Sequence, residues 1–186
     1  MRTFISLNLS DEIKEQILAV QSDVKAHIGK EQAKCVSWEN MDKFHITVFF
    51  LGDVNAGLIE RINVRLDKIS YMGIGEIFFT SKIVSGFPNL RNPRVLIIDL
   101  KNPDAKAAHL YDEISNAIKK EGILAGQKFH PHITLGRLKH QKMIKAERLT
   151  EEIKFSLNFS VNKFFMMESV LNHTGAVHTE NMNFDL

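Results

Sequence analysis

Two strand-like segments of this chain carry the same His-x-Thr pattern, and this repeat constrains the fold more than any other feature. The first segment contains His45 and Thr47, and the second contains His132 and Thr134, at a spacing of 87 residues. Successive side chains of a strand point to opposite faces, so the His and the Thr of each segment share one face. If the two strands lie side by side, two imidazoles and two hydroxyls converge on one small pocket.

The segments around the two motifs repeat a similar order of elements. Ser10 suits the N-cap of a helix in which Ile13 and Ile17 begin an apolar stripe that runs to about Gly29, and this helix precedes the first motif. A second helix that opens at Asn102–Asp104 precedes the second motif. The repeat indicates two similar lobes around a pseudo-two-fold axis, with the motif strands meeting at the centre.

Further segments complete this scheme. Hydrophobic spacing and turn residues predict strands over 2–9, 76–85 and 94–100, a helix over 58–69, a loop over 86–93, a β-rich stretch over 155–171 that folds back or crosses between lobes, and an edge strand over 179–184. No linker or low-complexity tract separates the halves. We therefore predict a single domain over residues 1–186, built of two pseudo-repeated lobes.

The composition narrows the class of protein and its partners. A net charge of +2 suits an anionic ligand but is too small to indicate wrapping of long nucleic acid. The single cysteine, Cys35, excludes an intramolecular disulfide framework. No apolar stretch is long enough for a signal peptide or a membrane span. We expect a cytoplasmic monomer that does not bind a membrane.

Several kinds of site compete for the paired motifs. In the simplest alternative, the His and Thr side chains are buried and satisfy one another or the backbone. His45, His130 and His132 offer imidazoles to a metal, but there is no Cys pair, no HExxH and no acidic residue in either motif. Nucleophile elbows, phosphate-binding loops and dinucleotide fingerprints are also missing from the sequence. We expect no metal and no cofactor.

General acid–base catalysis on a phosphodiester remains. Two histidines can share the transfer of protons, and the hydroxyls of Thr47 and Thr134 can donate to non-bridging phosphate oxygens. Arg137 lies five residues after His132, on the opposite face of a regular strand, so its approach to the pocket requires a bend near Gly136. With such a bend, its guanidinium would bind phosphate in a bidentate way.

The segments Phe44–Gly52 and Phe129–Arg137 resemble the two signature strands of the 2H phosphoesterase superfamily. The similarity is greatest to its LigT-like members, the RNA 2′,3′-cyclic phosphodiesterases, also called 2′-5′ RNA ligases. This resemblance implies an α+β fold in which two pseudo-symmetric lobes of antiparallel sheet, with helices outside, flank a central cleft. It also implies metal-independent opening of RNA 2′,3′-cyclic phosphate ends to 2′-phosphates, with reversible 2′-5′ ligation in some members.

The same resemblance assigns roles to individual residues. It implies that His132 is the base that activates water and His45 the acid that protonates the leaving oxygen. It also places Thr47, Thr134 and Arg137 at phosphate-binding positions.

The sequence leaves alternatives for the roles of two aromatic residues and for the substrate. Trp38 either stacks on a nucleobase or holds the lobes together, and Phe49 either stacks on a base or packs in the core. The substrate is an RNA end or a small cyclic phosphate, such as a cyclic nucleotide or one derived from ADP-ribose. A third alternative is a non-catalytic module that binds RNA ends.

Overall fold

The structure, a computed structural model, describes residues 2–124, 126, 128–140, 142–172 and 175–186. Within these ranges nine strands form one sheet with antiparallel pairings: β1 (Arg2–Asn8), β2 (Val36–Trp38), β3 (His45–Asp53), β4 (Ile77–Phe87), β5 (Val95–Lys101), β6 (His132–Leu138), β7 (Leu157–Val161), β8 (Lys163–Asn172) and β9 (Gly175–Asp185). The helices are α1 (Asp11–Ala33), α2 (Ala56–Ser70), α3 (Lys106–Lys119) and the short α4 (Leu149–Glu152).

The order of the strands places the two motifs at the middle of the sheet. The path runs β7-β4-β5-β6-β3-β1-β8-β9, and β2 adds to β6 outside this path. On one side of the centre lie β6, β5 and β4, and on the other lie β3, β1 and β8. This arrangement confirms the predicted pseudo-symmetry and the meeting of the motif strands, which pair at Ile46 and Ile133.

The sheet is curled, and the cause is visible in the chain itself. The predicted β-rich stretch divides at Asn162 into β7, at one edge of the strand order, and β8, next to the other edge. A single residue joins the two strands, so the ends of the strand order must approach each other. The main-chain amide of Leu186 also donates to the carbonyl of Asn162, 3.0 Å away, at this crossing.

The helices bury one face each, as their apolar spacing predicts. The side chain of Ser10 caps α1 by accepting from the amide of Ile13, 3.4 Å away, and this confirms the predicted start. The helical run that begins after Ser10 ends at Gly29, as predicted, because Gly29 is non-helical with a φ of 80° and a ψ of 159°. A short second helical segment continues α1 to Ala33 beyond this kink, and a residue without Cβ adopts the positive φ readily.

The buried core joins the helices to the sheet. Ile17 and Val24 of α1, together with Ile62 of α2 and Leu110 of α3, belong to one apolar cluster with the inward side chains of the strands. Burial of this cluster leaves the His and Thr side chains of the motifs as partly exposed groups. None of the helices described is long and apolar enough to cross a membrane.

Candidate active site

The two motifs share one small cavity of about 60 Å³ at the centre of the sheet. His45 and Thr47 line it from β3, and His132 and Thr134 line it from β6. These strands are neighbours, and Ile46 and Ile133 alternate with the cavity residues and are fully buried. The structure therefore brings together the four side chains that the repeat pattern singles out.

Both histidines are held in the same way by the backbone. Nδ1 of His45 is 2.7 Å from the carbonyl oxygen of Lys43, and Nδ1 of His132 is 2.7 Å from the carbonyl oxygen of His130. A carbonyl only accepts, so each Nδ1 carries the proton and donates it. In the neutral rings Nε2 is then an acceptor, and Nε2 of His45 lies 3.0 Å from Oγ of Thr47, which donates to it. Each neutral imidazole thus has an unprotonated Nε2 that can take a proton.

The surroundings disfavour the charged form of both imidazoles. Burial lowers the pKa of His45 to about 4, the Lys43 carbonyl opposes this effect, and repulsion by Arg137 and by the protonated forms of His178 and His132 strengthens it. Burial also lowers the pKa of His132, where the Asp99 carboxylate acts in the opposite direction. Both rings are therefore neutral near pH 7 in the free protein.

An irregularity of β6 brings Arg137 to the pocket. Thr134 pairs with Ile97 of β5 and Gly136 pairs with Leu96, so Leu135 is an extra residue, a β-bulge. Beyond a bulge the side chains change face, and Arg137 joins His132 and Thr134 in the cavity lining. The predicted bend near Gly136 therefore exists, as a bulge whose extra residue is the adjacent Leu135.

The first motif strand has the equivalent bulge. In the pairing of β3 with β1, Thr47 lies opposite Ser6 and Phe49 opposite Ile5, so Val48 is the extra residue. Both strands consequently bury two successive residues after the Thr and expose the next one. At the position that corresponds to Arg137, β3 carries Phe50.

The bulge also determines which of the two phenylalanines after the first motif is buried and which faces the cavity. Phe49 is only 3% exposed and packs against Tyr111, with ring centroids 6.0 Å apart. Phe50 is 70% exposed and lines the small cavity. Core packing, one of the two alternatives for Phe49, therefore describes its ring, and Phe50 is the ring of this pair that faces the cavity.

Trp38 is held by contacts within the fold. Its indole Nε1 donates to the carbonyl of Ala33 at 2.9 Å, and the ammonium of Lys25 lies 4.9 Å from the ring centroid. On β2 it pairs with Gly136, where an added Cβ would lie 3.1 Å from the Trp38 ring. Trp38 is not among the described residues that line the small cavity.

Three further side chains complete the cavity. Glu39 lies 3.6 Å from Nε of Arg137, Lys43 supplies a second cation, and His178 of β9 packs edge-on against His45 with ring centroids 5.6 Å apart. Sequence reasoning missed Glu39 and Lys43, although both lie within six residues of His45. The approach of His178 to His45 depends on the curl of the sheet.

A wider, mostly apolar cleft of about 620 Å³ adjoins the small cavity. It shares Thr47, Phe50 and His132 with that cavity and extends past Phe87 towards Phe129. The Phe87 ring stands edge-on to His132 at 5.0 Å between centroids. A group bound at the histidines thus has an aromatic surface beside it. The described residues contain no cluster of three or more side chains placed to hold a metal ion.

The two halves of the chain both match a known family. The model of LigT-like phosphoesterases matches residues 7–97 and again residues 98–178, one motif in each. The chain belongs to the LigT-like phosphoesterase family. The resemblance seen in the two motif strands is thereby confirmed.

Curated relatives and solved structures agree with this membership. An RNA 2′,3′-cyclic phosphodiesterase of Thermotoga maritima is 34% identical over 180 residues, which is 96% of this chain and 91% of the relative. One of Archaeoglobus fulgidus is 28% identical over 97% of each chain.

Among solved structures, a protein of Thermus thermophilus matches with a TM-score of 0.80, at 20% identity over 100% of this chain and 98% of the other. Escherichia coli LigT complexed with 3′-AMP matches with 0.78, at 22% identity over 100% and 97%. At these identities the structural likeness concerns the fold, and it confirms the expected α+β class.

Proposed function

We propose that this protein is a metal-independent RNA 2′,3′-cyclic phosphodiesterase that opens the cyclic phosphate to a 2′-phosphate. The observation that carries the proposal is the convergence of His45, His132, Thr47, Thr134 and Arg137 on one cavity. A cyclic phosphodiester has one negative charge, one leaving oxygen and one face open to water. The cavity offers a partner to each of these: cations and hydroxyls to the anion, and an imidazole to each proton transfer.

In the proposed reaction His132 is the base and His45 is the acid. Nε2 of His132 takes a proton from water, whose oxygen attacks phosphorus. The bond between phosphorus and the 3′ oxygen breaks, and the 3′ oxygen receives a proton from Nε2 of His45. The product keeps its phosphate on the 2′ oxygen. The same sequence with a ribose 5′ hydroxyl in place of water as the nucleophile forms a 2′-5′ linkage, and we propose that the protein also performs this ligation.

The acid role needs a proton on His45, and burial of the ring disfavours that proton in the free protein. A bound cyclic phosphate supplies a negative charge next to the ring, and an opposite charge within a few ångströms raises the pKa of an imidazole. The substrate thus favours the protonated form of the acid. Thr47 and Thr134 remain available to donate to the non-bridging oxygens, and Arg137 and Lys43 balance their charge.

The test uses a short RNA that ends in a 2′,3′-cyclic phosphate, incubated with the protein and EDTA near pH 7. We expect a 2′-phosphate, identified by its chromatographic position against 2′- and 3′-phosphate standards. A matched mononucleotide 2′,3′-cyclic phosphate runs alongside. Faster turnover of the mononucleotide would favour a small-nucleotide enzyme, absence of product would favour a binding module, and dependence on added metal would contradict the mechanism.

The neighbouring phenylalanines of β3 provide a matched pair for nucleobase binding. We expect Phe50→Ala to raise KM or the Kd of a nucleotide about tenfold, because base–aromatic stacking contributes about 1–3 kcal/mol. Its stability should stay near that of the wild type, since the ring is 70% exposed. Phe49→Ala should instead lower the free energy of unfolding by about 3–5 kcal/mol.

Kinetics and urea denaturation of both variants distinguish these effects. The assignment fails if Phe50→Ala binds nucleotide like the wild type, or if Phe49→Ala is as stable as the wild type.

A further inference from the structure

One buried polar residue of α1 has no part in the chemistry described above. The inward face of this helix consists of aliphatic side chains such as Ile17 and Val24, except for Gln21, which is only 1% exposed. A buried amide is costly unless its hydrogen bonds are made. Its partners therefore indicate what it is for.

The amide of Gln21 reaches the bulge of β6 from the outside. Nε2 of Gln21 donates to the carbonyl of Leu135 at 2.9 Å and to the carbonyl of Glu39 at 2.8 Å. Leu135 is the extra residue of the bulge, so its carbonyl lies outside the regular ladder. The main-chain amide of Glu39 donates to the same carbonyl at 3.0 Å. Oε1 of Gln21 accepts from the ammonium of Lys25 at 2.6 Å, so both ends of the amide are used.

Both contacts lead to Arg137. The bulge at Leu135 decides the face on which the Arg137 side chain emerges, and the Glu39 carboxylate lies 3.6 Å from Nε of Arg137. Gln21 binds the main chain of both Leu135 and Glu39, although it lies more than a hundred positions before the bulge. The opposite wall of the cavity, formed by His45 and Thr47, has no contact with Gln21 in these bonds.

We propose that Gln21 is a positioning residue for Arg137: its buried amide fixes the Leu135 bulge and the Glu39 main chain, and so presents the guanidinium to the phosphate of the substrate. This inference rests on the proposed function for the identity of the bound anion. The chemical class that it concerns is a phosphate ester or free phosphate. An aliphatic side chain at this position would fill the space but would leave the Glu39 carbonyl without this donor.

The experiment measures binding of inorganic phosphate by calorimetry in a double-mutant cycle of Gln21→Met and Arg137→Ala. Methionine keeps the length of glutamine without its donor. We expect Gln21→Met to weaken phosphate binding about five- to tenfold in the wild-type background and less than twofold when Arg137 is already alanine. The milder Gln21→Asn, whose amide is one methylene shorter, should give a smaller loss and serves if Gln21→Met folds poorly.

Val24→Ala is the matched control, because Val24 is fully buried on the same helix face and takes no part in these hydrogen bonds. It should lower stability and leave phosphate affinity unchanged. Equal losses of affinity in both Arg137 backgrounds, or a loss that Val24→Ala reproduces, would overturn the proposal.

A second measurement separates this inference from the proposed function. The Arg137 Nε–H resonance, followed by NMR in the free protein, should move in Gln21→Met and stay in place in Val24→Ala. A resonance that does not move in Gln21→Met would overturn the proposal without any use of substrate. Failure of the wild type to open a cyclic phosphate would overturn the proposed function. The double-mutant cycle of phosphate binding and the Arg137 Nε–H resonance would still decide the role of Gln21.

Discussion

Replacement of either His45 or His132 by alanine is expected to lower kcat for the opening of an RNA 2′,3′-cyclic phosphate by about 10²–10⁴-fold. Each ring directs Nε2 into the cavity because Nδ1 donates to a backbone carbonyl. Removal of one ring deletes either the acceptor for the proton of water or the donor to the 3′ oxygen, and general acid–base catalysis of this kind contributes about that factor. Single-turnover rates with saturating enzyme measure the chemical step directly.

The two losses should not multiply. Groups that act in one concerted transfer are strongly non-additive, so the double variant is expected to be only slightly slower than the worse single one. His109→Ala is a suitable control, since His109 is exposed on α3 away from the cavity. A variant of His45 or His132 that keeps more than about a tenth of the wild-type rate would contradict the acid–base assignment.

The same variants distinguish catalysis from simple recognition of RNA ends. A module that only holds a phosphate end would bind RNA through the cations and hydroxyls of the cavity, so its affinity would survive both substitutions. It would also form no product with the wild type. Measurement of binding beside turnover therefore separates the two functions on the same set of proteins.

The paired cavity was predictable from sequence because it depends only on the period of a strand. His45 and Thr47 are two residues apart, as are His132 and Thr134, and a period of two holds in any strand that is regular over three residues. The repeat also sufficed to place the two motif strands at the centre. No knowledge of the neighbouring strands was needed for these steps.

The residues just beyond each motif could not be placed by the same reasoning. Whether Phe49 or Phe50 faces the cavity depends on the extra residue at Val48, and that bulge arises from the pairing with β1. Val48 itself looks like any β-branched strand residue. The sequence predicts that Arg137 needs a bend near Gly136, and the bulge at Leu135 provides it. Gly136 itself permits the close approach of β2, where an added Cβ would lie 2.6 Å from Cγ1 of Val36.

The remaining members of the site depend on contacts between distant segments. His178 reaches His45 because the curled sheet brings β9 round to Phe4, whose ring lies 5.0 Å from that of His178. Gln21 looks like a polar interruption of an apolar stripe until the bulge that it binds is known. Local patterns carry no information about such partners, and this limits what a single sequence reveals.

Acid should destabilise the folded protein by protonating imidazoles that the fold keeps neutral. Burial is the main cause that lowers the pKa of His45 to about 4, and burial also lowers the pKa of His132. In the unfolded chain both rings are exposed to water, with an ordinary pKa near 6.5. As the pH falls below about 6.5, the unfolded state therefore binds protons before the folded state does.

The sign and size of the effect follow from this difference. The stability that His45 contributes is fully present above pH 6.5 and is lost as the pH falls towards 4, in total at most about 3 kcal/mol for this one group. His132 should add a smaller loss over the same range, because its pKa is lowered as well. Urea denaturation between pH 7 and pH 4 measures the free energy of unfolding along this range.

His45→Gln isolates the contribution, because glutamine keeps a polar side chain but cannot titrate. The difference in unfolding free energy between wild type and His45→Gln should change by about 3 kcal/mol or less across the range, whereas His27→Gln, on the exposed face of α1, should follow the wild type. NMR of the His45 ring supplies the direct check: we expect a pKa near 4 in the free protein and a higher pKa with inorganic phosphate bound, because the anion favours the imidazolium. A ring that titrates near 6.5 in the free protein, or a pKa that phosphate leaves unchanged, would show that burial does not hold His45 neutral and that the anion does not restore the acid.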